Sequence, residues 1–250
     1  MRVTVLGTTG AWPEAGRACS GLLVESGESR LVLDLGFATL PRLLAHTPVS
    51  RLTGVFVTHA HADHCVDLYG LYRAVSLSGG SVRSPRIYGP AEVLDRLGPL
   101  DGPGGVERLR ATLDFHALTA ESTIEIGPFR LRTRALPHFL PNFGVRVEAE
   151  GQAIAYTGDT GPADAVAELA EGCDLFVCEA MDLEPGTGDR ARFLLTPAQA
   201  AGYATRAKVR RLLLTHFAPG TEREPYRAAA AAGFSGPILL ADEDQVLSVP

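Results

Sequence analysis

Short apolar runs alternate along the chain with segments in which apolar residues recur three and four positions apart. The runs are rich in β-branched residues and are bounded by glycine, proline and small polar residues, which predicts strands. Segments with the helical spacing predict helices, and Thr196 followed by Pro197 is a typical helix start. The predicted strands are residues 3–6, 21–25, 30–35, 54–58, 87–88, 112–118, 122–126, 129–136, 143–149, 153–157, 175–178, 211–215, 238–241 and 245–249. The predicted helices are residues 37–44, 63–77, 162–170 and 222–232, with others that begin after Pro90 and at Pro197.

No low-complexity linker interrupts this pattern. With 250 residues, of which 46% are hydrophobic, the chain is long enough to bury a large core, so we expect a single domain over residues 1–250. Residues 98–106 are rich in glycine and proline, which predicts an exposed loop. Residues 55–59 and 212–216 form a weak internal echo, because each is an apolar run that ends in Thr-His. The mixture of strands and helices predicts an α/β fold.

The composition narrows the classes of function. A formal net charge of −6 argues against sequence-independent binding of nucleic acid, which relies on a basic protein surface. No apolar stretch reaches the roughly 20 residues that span a bilayer, and the N-terminus lacks a secretory signal. We therefore expect no membrane contact and a cytoplasmic location. The four cysteines are widely spaced and include no Cys-x-x-Cys pair, which indicates buried thiols in a reducing compartment.

The strongest chemical signal is a polar cluster directly after the predicted strand at residues 54–58. His59, His61, Asp63 and His64 lie within six positions, and imidazole nitrogens and carboxylate oxygens suit zinc and related metals. In an extended turn His59 and His61 can converge on one ion. Asp63 and His64 stand at the start of a predicted helix and can face a second ion. One ion held by all four side chains is an alternative, but two-metal sites are well known in hydrolysis.

Three more candidate ligands stand at the ends of predicted strands. His138 follows a long strand, Asp159 lies in a glycine-rich turn after another, and His216 ends an apolar run. Each residue alone is weak evidence for a metal site, since a lone histidine, for example, is usually structural. Together with the cluster, the three residues complete two coordination spheres. His46 and His116 have no such context, so we expect them to be ordinary surface or core residues.

The succession His-x-His-x-Asp-His, His, Gly-Asp-Thr and Thr-His resembles the metallo-β-lactamase superfamily along nearly the whole chain. The resemblance implies a four-layer αββα sandwich, the metallo-β-lactamase fold, and two divalent metal ions, with zinc favoured over manganese or iron. Asp34 fits the early aspartate that usually supports the metal loop in that family. By the same resemblance Asp159 bridges two ions, one held by His59, His61 and His138 and the other by Asp63, His64 and His216.

Within the superfamily the chain looks like the ribonuclease Z branch, and it is more similar still to a small bacterial subgroup, the atypical cyclic-nucleotide phosphodiesterases. This resemblance implies a dinuclear metal-dependent hydrolase that acts on a phosphodiester in a small molecule. Dimers are common among such relatives, so a homodimer is an open expectation. The shared motifs are residues 18–21 (Ala-Cys-Ser-Gly), 61–65 (His-Ala-Asp-His-Cys), 143–146 (Phe-Gly-Val-Arg), 178–181 (Cys-Glu-Ala-Met) and 212–216 with Pro219.

One departure from that branch concerns the substrate. Ribonuclease Z enzymes that process transfer RNA usually carry a long arm between the third histidine and the bridging aspartate. Here Asp159 follows His138 by only 21 positions. Together with the net charge of −6, this short interval argues against a transfer-RNA substrate and for a small-molecule substrate.

A second departure is a missing histidine. Both groups of relatives usually have a histidine in the stretch where this chain has Leu194 and Leu195. In those relatives it is thought to help a glutamate, here Glu179, to manage a proton on the leaving group or the phosphate. General acid catalysis contributes about 10²- to 10⁴-fold, so phosphodiester cleavage is expected to be slow without it. A thioesterase or lactonase on the same scaffold is therefore the alternative function.

Two side chains receive catalytic roles in this reading. Asp63 is a metal ligand and a proton acceptor, and Glu179 is a proton relay or orients a ligand, although a purely structural carboxylate explains Glu179 equally well. Two further classes stay open, namely an iron-dependent oxygenase on the same scaffold and a metal-binding protein without catalysis. Core packing is favoured over a place in the cleft for four aromatic residues: Trp12, Phe37, Phe139 and Phe143.

Overall fold

The first half of the chain forms a seven-stranded mixed sheet in the computed structural model, which describes residues 1–249. Its strands are β1 (Arg2–Gly7), β2 (Gly21–Ser26), β3 (Ser29–Leu33), β4 (Gly54–Phe56), β5 (Arg86–Pro90), β6 (Asp114–Leu118) and, from the end of the chain, β14 (Val246–Ser248). Their order is β14-β1-β2-β3-β4-β5-β6. Neighbours are antiparallel from β14 to β3 and parallel from β3 to β6.

The second half of the chain forms another seven-stranded sheet on the same plan. Its strands are β7 (Thr123–Ile126), β8 (Phe129–Leu136), β9 (Asn142–Ala149), β10 (Gln152–Tyr156), β11 (Leu175–Glu179), β12 (Leu212–Thr215) and β13 (Ile238–Leu240). Neighbours are antiparallel from β7 to β10 and parallel from β10 to β13. The sequence echo falls on β4 and β12, which are interior parallel strands of the two sheets.

Nine α-helices connect the strands in the described part of the chain. They are α1 (Thr39–His46), α2 (Ala62–Cys65), α3 (Leu68–Ser76), α4 (Glu92–Leu97), α5 (Gly105–Thr112), α6 (Asp164–Ala170), α7 (Asp189–Phe193), α8 (Pro197–Arg206) and α9 (Glu224–Ala231). Within residues 1–249, no helix combines the length and the apolar character needed to cross a membrane.

The sheets and helices stack in four layers. On β3, Leu31 and Leu33 face the core between the two sheets, whereas Val32 faces outward, because successive strand residues point to opposite faces. Helices α1, α3, α4 and α5 pack on the outer face of the first sheet, and α6, α8 and α9 pack on that of the second sheet. This arrangement confirms the predicted α/β, four-layer αββα sandwich.

Residues 63–77 form the two helices α2 and α3 instead of the one predicted helix. In a continuous helix the N–H of Asp67 would donate to the carbonyl of Asp63. It donates instead to the carbonyl of Leu35 (2.9 Å), and the N–H of Leu35 donates to the carbonyl of His64 (2.8 Å). The backbone bonds that would continue α2 are therefore diverted to the loop after β3, which fixes α2 against the first sheet.

The prediction of an exposed loop over residues 98–106 is right for the exposed turn at residues 102–104 and wrong for the residues on either side, which are helical. A short 3-10 helix occupies Gly98–Asp101, and α5 begins within the predicted loop. Gly102 and Gly104 have φ angles of 75° and 73°, so they form the tight turn between the two helices and also produce the loop-like sequence signal. Helix α7 was not predicted, because it has no buried residue and so no apolar face.

Helix α8 begins at the cap that the sequence predicts. The Thr196 hydroxyl accepts the N–H of Gln199 (3.2 Å), and the Gln199 side chain accepts the N–H of Thr196 (2.9 Å). We expect Thr196→Ala to lower the free energy of unfolding by about 1 kcal/mol, because the Gln199 N–H loses its partner. Urea unfolding followed by circular dichroism measures the change. Thr196→Ser is the control, and equal stability of the two variants would contradict the role of the hydroxyl.

Candidate metal centre

The candidate site lies where strands of both sheets end. After β4 the chain runs through a bend at Ala60, is extended at His61 and then enters α2, so the polar cluster spans a loop and the start of a helix. The loops after β8, β10 and β12 reach the same place from the second sheet. The seven side chains predicted as metal ligands lie together there: His59, His61, Asp63, His64, His138, Asp159 and His216.

The first ligand group consists of His59, His61, His138 and Asp159. Nδ1 of His61 lies 3.0 Å from Nε2 of His59 and 3.0 Å from Nε2 of His138. Oδ2 of Asp159 lies 3.8 Å from Nε2 of His59 and 3.7 Å from Nε2 of His138. All four ligand-type atoms lie within 4.8 Å of one another, which is close enough for one cation to contact each of them.

The second ligand group consists of Asp63, His64, Asp159 and His216. Oδ1 of Asp159 lies 3.0 Å from Nε2 of His64 and 3.2 Å from Nε2 of His216. Oδ2 of Asp63 lies 3.3 Å from Nε2 of His216. Asp159 therefore presents one carboxylate oxygen to each group, and the division into two groups is the one that the family resemblance implied.

Hydrogen bonds outside the site orient two imidazoles of the first ligand group. The Thr58 hydroxyl donates to Asp34 (2.9 Å) and so accepts from Nδ1–H of His59 (3.0 Å). Nδ1–H of His138 donates to the carbonyl of Phe193 (3.1 Å). In both rings the proton is held on Nδ1, so Nε2 faces the site with a free lone pair, as a metal-binding imidazole requires.

Asp34 stands behind the second ligand group. It is fully buried and has a φ of 62°. Its carboxylate accepts the N–H of Thr58 (2.7 Å), the hydroxyl of Thr58 (2.9 Å), Nδ1–H of His64 (2.8 Å) and the hydroxyl of Tyr156 (2.8 Å). Because Thr58 follows β4 and Tyr156 ends β10, this one carboxylate joins the two sheets and orients a ligand-type imidazole.

Burial and neighbouring charges set the protonation of the imidazoles. Burial lowers the pKa of His59 well below its usual value, lowers that of His61 to about 4 and lowers that of His138. At His64, burial also favours the neutral ring, but three neighbouring carboxylates outweigh it and raise the pKa well above its usual value. The three imidazoles of the first ligand group are therefore neutral at pH 7, which is the state in which imidazole binds a metal.

The polar atoms of the site fit two cations. Oδ1 of Asp159 is buried and receives no hydrogen bond with good geometry from any residue in 1–249. Burial would raise the pKa of Asp63, but the charge of His64 and the hydrogen bond from His216 lower it to about 2, so this carboxylate is ionised. Three imidazole nitrogens also crowd together around His61. Five imidazoles and two carboxylates arranged in this way suit a dinuclear metal site.

Glu179 lies at the end of β11, outside both ligand groups. Its Oε1 accepts the N–H groups of Thr160 (3.0 Å) and Leu195 (3.2 Å), and its Oε2 accepts the N–H of Met181 (2.9 Å). Burial raises its pKa to about 8, and the charge of Asp159 adds to the shift. Through Thr160 the carboxylate fixes the loop that carries Asp159, which is the geometry of a positioning residue.

Two of the four aromatic residues that we expected to pack in the core are exposed instead. Phe143 is buried in the core, and Phe37 is half-buried. Core packing is wrong for Trp12 and Phe139, which are 58% and 49% exposed. The two histidines that had no site context lie at the surface: His46 and His116.

Three contributors to the site were not predicted. The N–H of Ala11 donates to Oδ2 of Asp63 (2.7 Å), the carbonyl of Phe193 orients His138, and the hydroxyl of Tyr156 bonds Asp34. Backbone groups leave no residue-type signal, so the first two could not be found. Tyr156 could have been noticed, because it is the last residue of an apolar strand that leads into the turn of a candidate ligand.

Comparison with known proteins places the chain in a family. Residues 23–217 match the family model described as a beta-lactamase superfamily domain. The chain belongs to the beta-lactamase superfamily. An uncharacterized protein of Mycobacterium tuberculosis is 33% identical, with 100% of this chain and 92% of that protein covered. The probable metallo-hydrolase YhfI of Bacillus subtilis is 26% identical, with 96% and 97% covered. Ribonuclease Z of Nocardia farcinica is 29% identical, with 99% and 97% covered.

Solved structures agree with this assignment. The metallo-beta-lactamase fold protein YhfI of Bacillus subtilis superposes with a TM-score of 0.86 at 25% identity, with 98% of both chains covered. The short form of human tRNase Z superposes with a TM-score of 0.76 at 28% identity, with 100% of both chains covered. This member of the superfamily is accordingly a metallo-hydrolase of the ribonuclease Z-like branch. The ribonuclease Z relatives do not support our argument against a transfer-RNA substrate.

The network behind the second ligand group generates a prediction about metal affinity. We expect Asp34→Asn to weaken zinc binding about 10- to 100-fold, because an amide cannot accept all four donors and His64 loses its anionic partner. Competition with a zinc chelator measures the affinity. Tyr156→Phe is the matched control, since it removes one donor and keeps the carboxylate, and it should change the affinity much less. Unchanged affinity in a folded Asp34→Asn variant would contradict the supporting role.

Proposed function

We propose that this hydrolase uses two zinc ions to cleave a phosphodiester in a small molecule of the cyclic-nucleotide type. The observation that carries the proposal is the position of Asp159, which presents Oδ1 to the imidazoles of one group and Oδ2 to those of the other. Imidazole and carboxylate ligands favour zinc, with manganese and iron as alternatives. The four cysteines are free and buried, which suits our expectation of a cytoplasmic location.

We assign each side chain of the site a separate role in hydrolysis. Two bound divalent ions would lower the pKa of a water molecule toward neutrality and polarise the phosphoryl group. Asp63 is held by the N–H of Ala11 (2.7 Å), and we assign its carboxylate to accept the proton of the attacking water. Glu179 keeps the Asp159 loop in place through the N–H of Thr160. His59 and His138 are held in the tautomer that binds metal.

A small substrate is favoured by the segment between His138 and Asp159. Strands β9 and β10 hold 13 of its 20 residues and are joined by a two-residue turn at Glu150 and Gly151. This segment therefore holds no arm that could extend toward a large nucleic acid. The net charge of −6 also favours a substrate without an extended phosphate backbone. Because ribonuclease Z enzymes are among the relatives, precursor transfer RNA belongs in any substrate test.

Acyl hydrolysis is the second candidate, and a specific observation favours it. Leu194 and Leu195, the stretch in which the resemblance leads us to expect a histidine, are buried with 9% and 0% exposure. Neither can protonate a leaving group, and Glu179 next to them is occupied by three backbone N–H groups. Thioesters and lactones depend less on protonation of the leaving group than alkyl phosphodiesters do. The missing histidine would therefore lower the rate of a thioesterase or lactonase less than that of a phosphodiesterase.

A substrate panel with metal analysis tests the proposed function. We expect about two zinc ions per chain and hydrolysis of 3′,5′-cyclic AMP and bis-(p-nitrophenyl) phosphate in preference to an acyl thioester, a lactone and precursor transfer RNA. Asp159→Asn should abolish the activity with the fold intact, because it weakens both ligand groups at once. The surface variant His116→Asn is the control. One iron without zinc, or a preference for the thioester or lactone, would overturn the phosphodiesterase assignment.

The missing histidine can be restored. We expect Leu194→His to raise the phosphodiesterase kcat by up to about 100-fold, because a general acid becomes available for the leaving group. The thioesterase rate should not change. Leu194→Asn is the matched control, since it adds a polar side chain of similar size that does not titrate. If the folded His variant gains nothing over the Asn variant, the absence of this histidine does not limit phosphodiester cleavage.

A further inference from the structure

Two phenylalanines lie together at the outer side of the first ligand group. The ring of Phe139 lies 5.2 Å from the ring of His138 and 6.5 Å from the ring of His61, measured between centroids. The ring of Phe193 lies 4.7 Å from that of Phe139, with the planes tilted by 52°. These rings therefore form an apolar surface directly beside two imidazoles of the candidate metal centre.

The pair is held in place although Phe139 remains half-exposed. The carbonyl of Phe193 accepts Nδ1–H of His138, so α7 ends in contact with a ligand-type residue. The Arg192 guanidinium lies 5.1 Å from the centroid of the Phe193 ring, a distance typical of a cation–π contact. A large aromatic side chain fixed in this way at the edge of a polar site offers a ready surface for stacking.

An exposed aromatic residue also lies close along the chain to a backbone contact of the second ligand group. Trp12 follows Ala11, whose N–H bonds Asp63 of that group. It is 58% exposed and is the only tryptophan of the chain. An exposed aromatic side chain thus stands beside the first ligand group, and another lies one residue along the chain from a backbone donor to the second, whereas the ligand-type residues themselves are polar. A substrate that combines an anionic group with a planar ring matches this distribution.

We propose that Phe139 and Phe193, which we call the aromatic platform, bind a planar aromatic ring attached to the phosphate ester at the metal centre. A nucleobase is the ring that the platform would take in a nucleotide substrate. The inference rests on the proposed function for the placement of the phosphate, and it goes further by assigning residues that select the substrate. Base–aromatic stacking tolerates any base, because each has a π-face.

Binding of two phosphates that differ only in the base tests the platform. Isothermal titration of the zinc-loaded enzyme with adenosine 5′-monophosphate and with ribose 5-phosphate should show about tenfold tighter binding of the nucleotide. Phe139→Ala should remove that difference by weakening only the nucleotide, and Phe139→Trp should retain it. Phe193→Ala, which leaves the backbone carbonyl in place, should reduce the difference. Phenyl phosphate as a third ligand distinguishes a nucleobase site from a site for simple aryl groups.

The control and the outcomes separate this inference from the proposed function. Leu77→Ala removes an exposed apolar side chain at the end of α3 and should leave both affinities unchanged. Equal affinity of the wild type for the two phosphates, no binding of either, or a difference that survives Phe139→Ala overturns the platform. Failure to hydrolyse any phosphodiester, with the binding difference intact, overturns the proposed function and leaves the platform standing.

Discussion

The carboxylate of Asp34 is the interaction on which the candidate site depends. A buried carboxylate is costly unless its oxygens are satisfied, and this one accepts four hydrogen bonds. The donors come from the loop after β4, from α2 and from β10. The Asp34 carboxylate therefore fixes the position of the two sheets and of the polar cluster relative to one another. The hydroxyl of Thr58, which donates to Asp34, also accepts Nδ1–H of His59 and so orients that ring. A single buried charge thereby orients an imidazole in each ligand group.

Close backbone approach completes the assembly. Gly158 has a φ of 58°, and a Cβ at this position would lie 2.7 Å from the side chain of Thr58. The loop after β10 therefore reaches the loop after β4 only because residue 158 lacks a side chain. This contact places Asp159 between the histidines of the two sheets. Glu179 secures the same loop from the other side through the N–H of Thr160.

The segment from Met181 to Thr196 contacts the candidate metal centre and also carries the residues to which we assign substrate recognition. Its backbone orients His138 and binds Glu179, while its side chains supply the ring of Phe193 and the apolar positions at Leu194 and Leu195. The ligand-type residues come from elsewhere, namely from α2 and from the loops after β4, β8, β10 and β12. Substitutions of its side chains can therefore alter recognition and leaving-group chemistry, whereas the ligand groups stay intact.

The sequence alone predicted nearly all the strands, the cap of α8 and the seven ligand-type residues, because local periodicity and residue type carry that information. It could not predict the break between α2 and α3 or the exposure of Phe139, since both follow from contacts between distant parts of the chain. The sequence therefore determined which ligand-type residues the protein has. Only the tertiary structure decided which oxygen of Asp159 faces which imidazoles, because that depends on how two sheets, separated along the chain, meet at their strand ends.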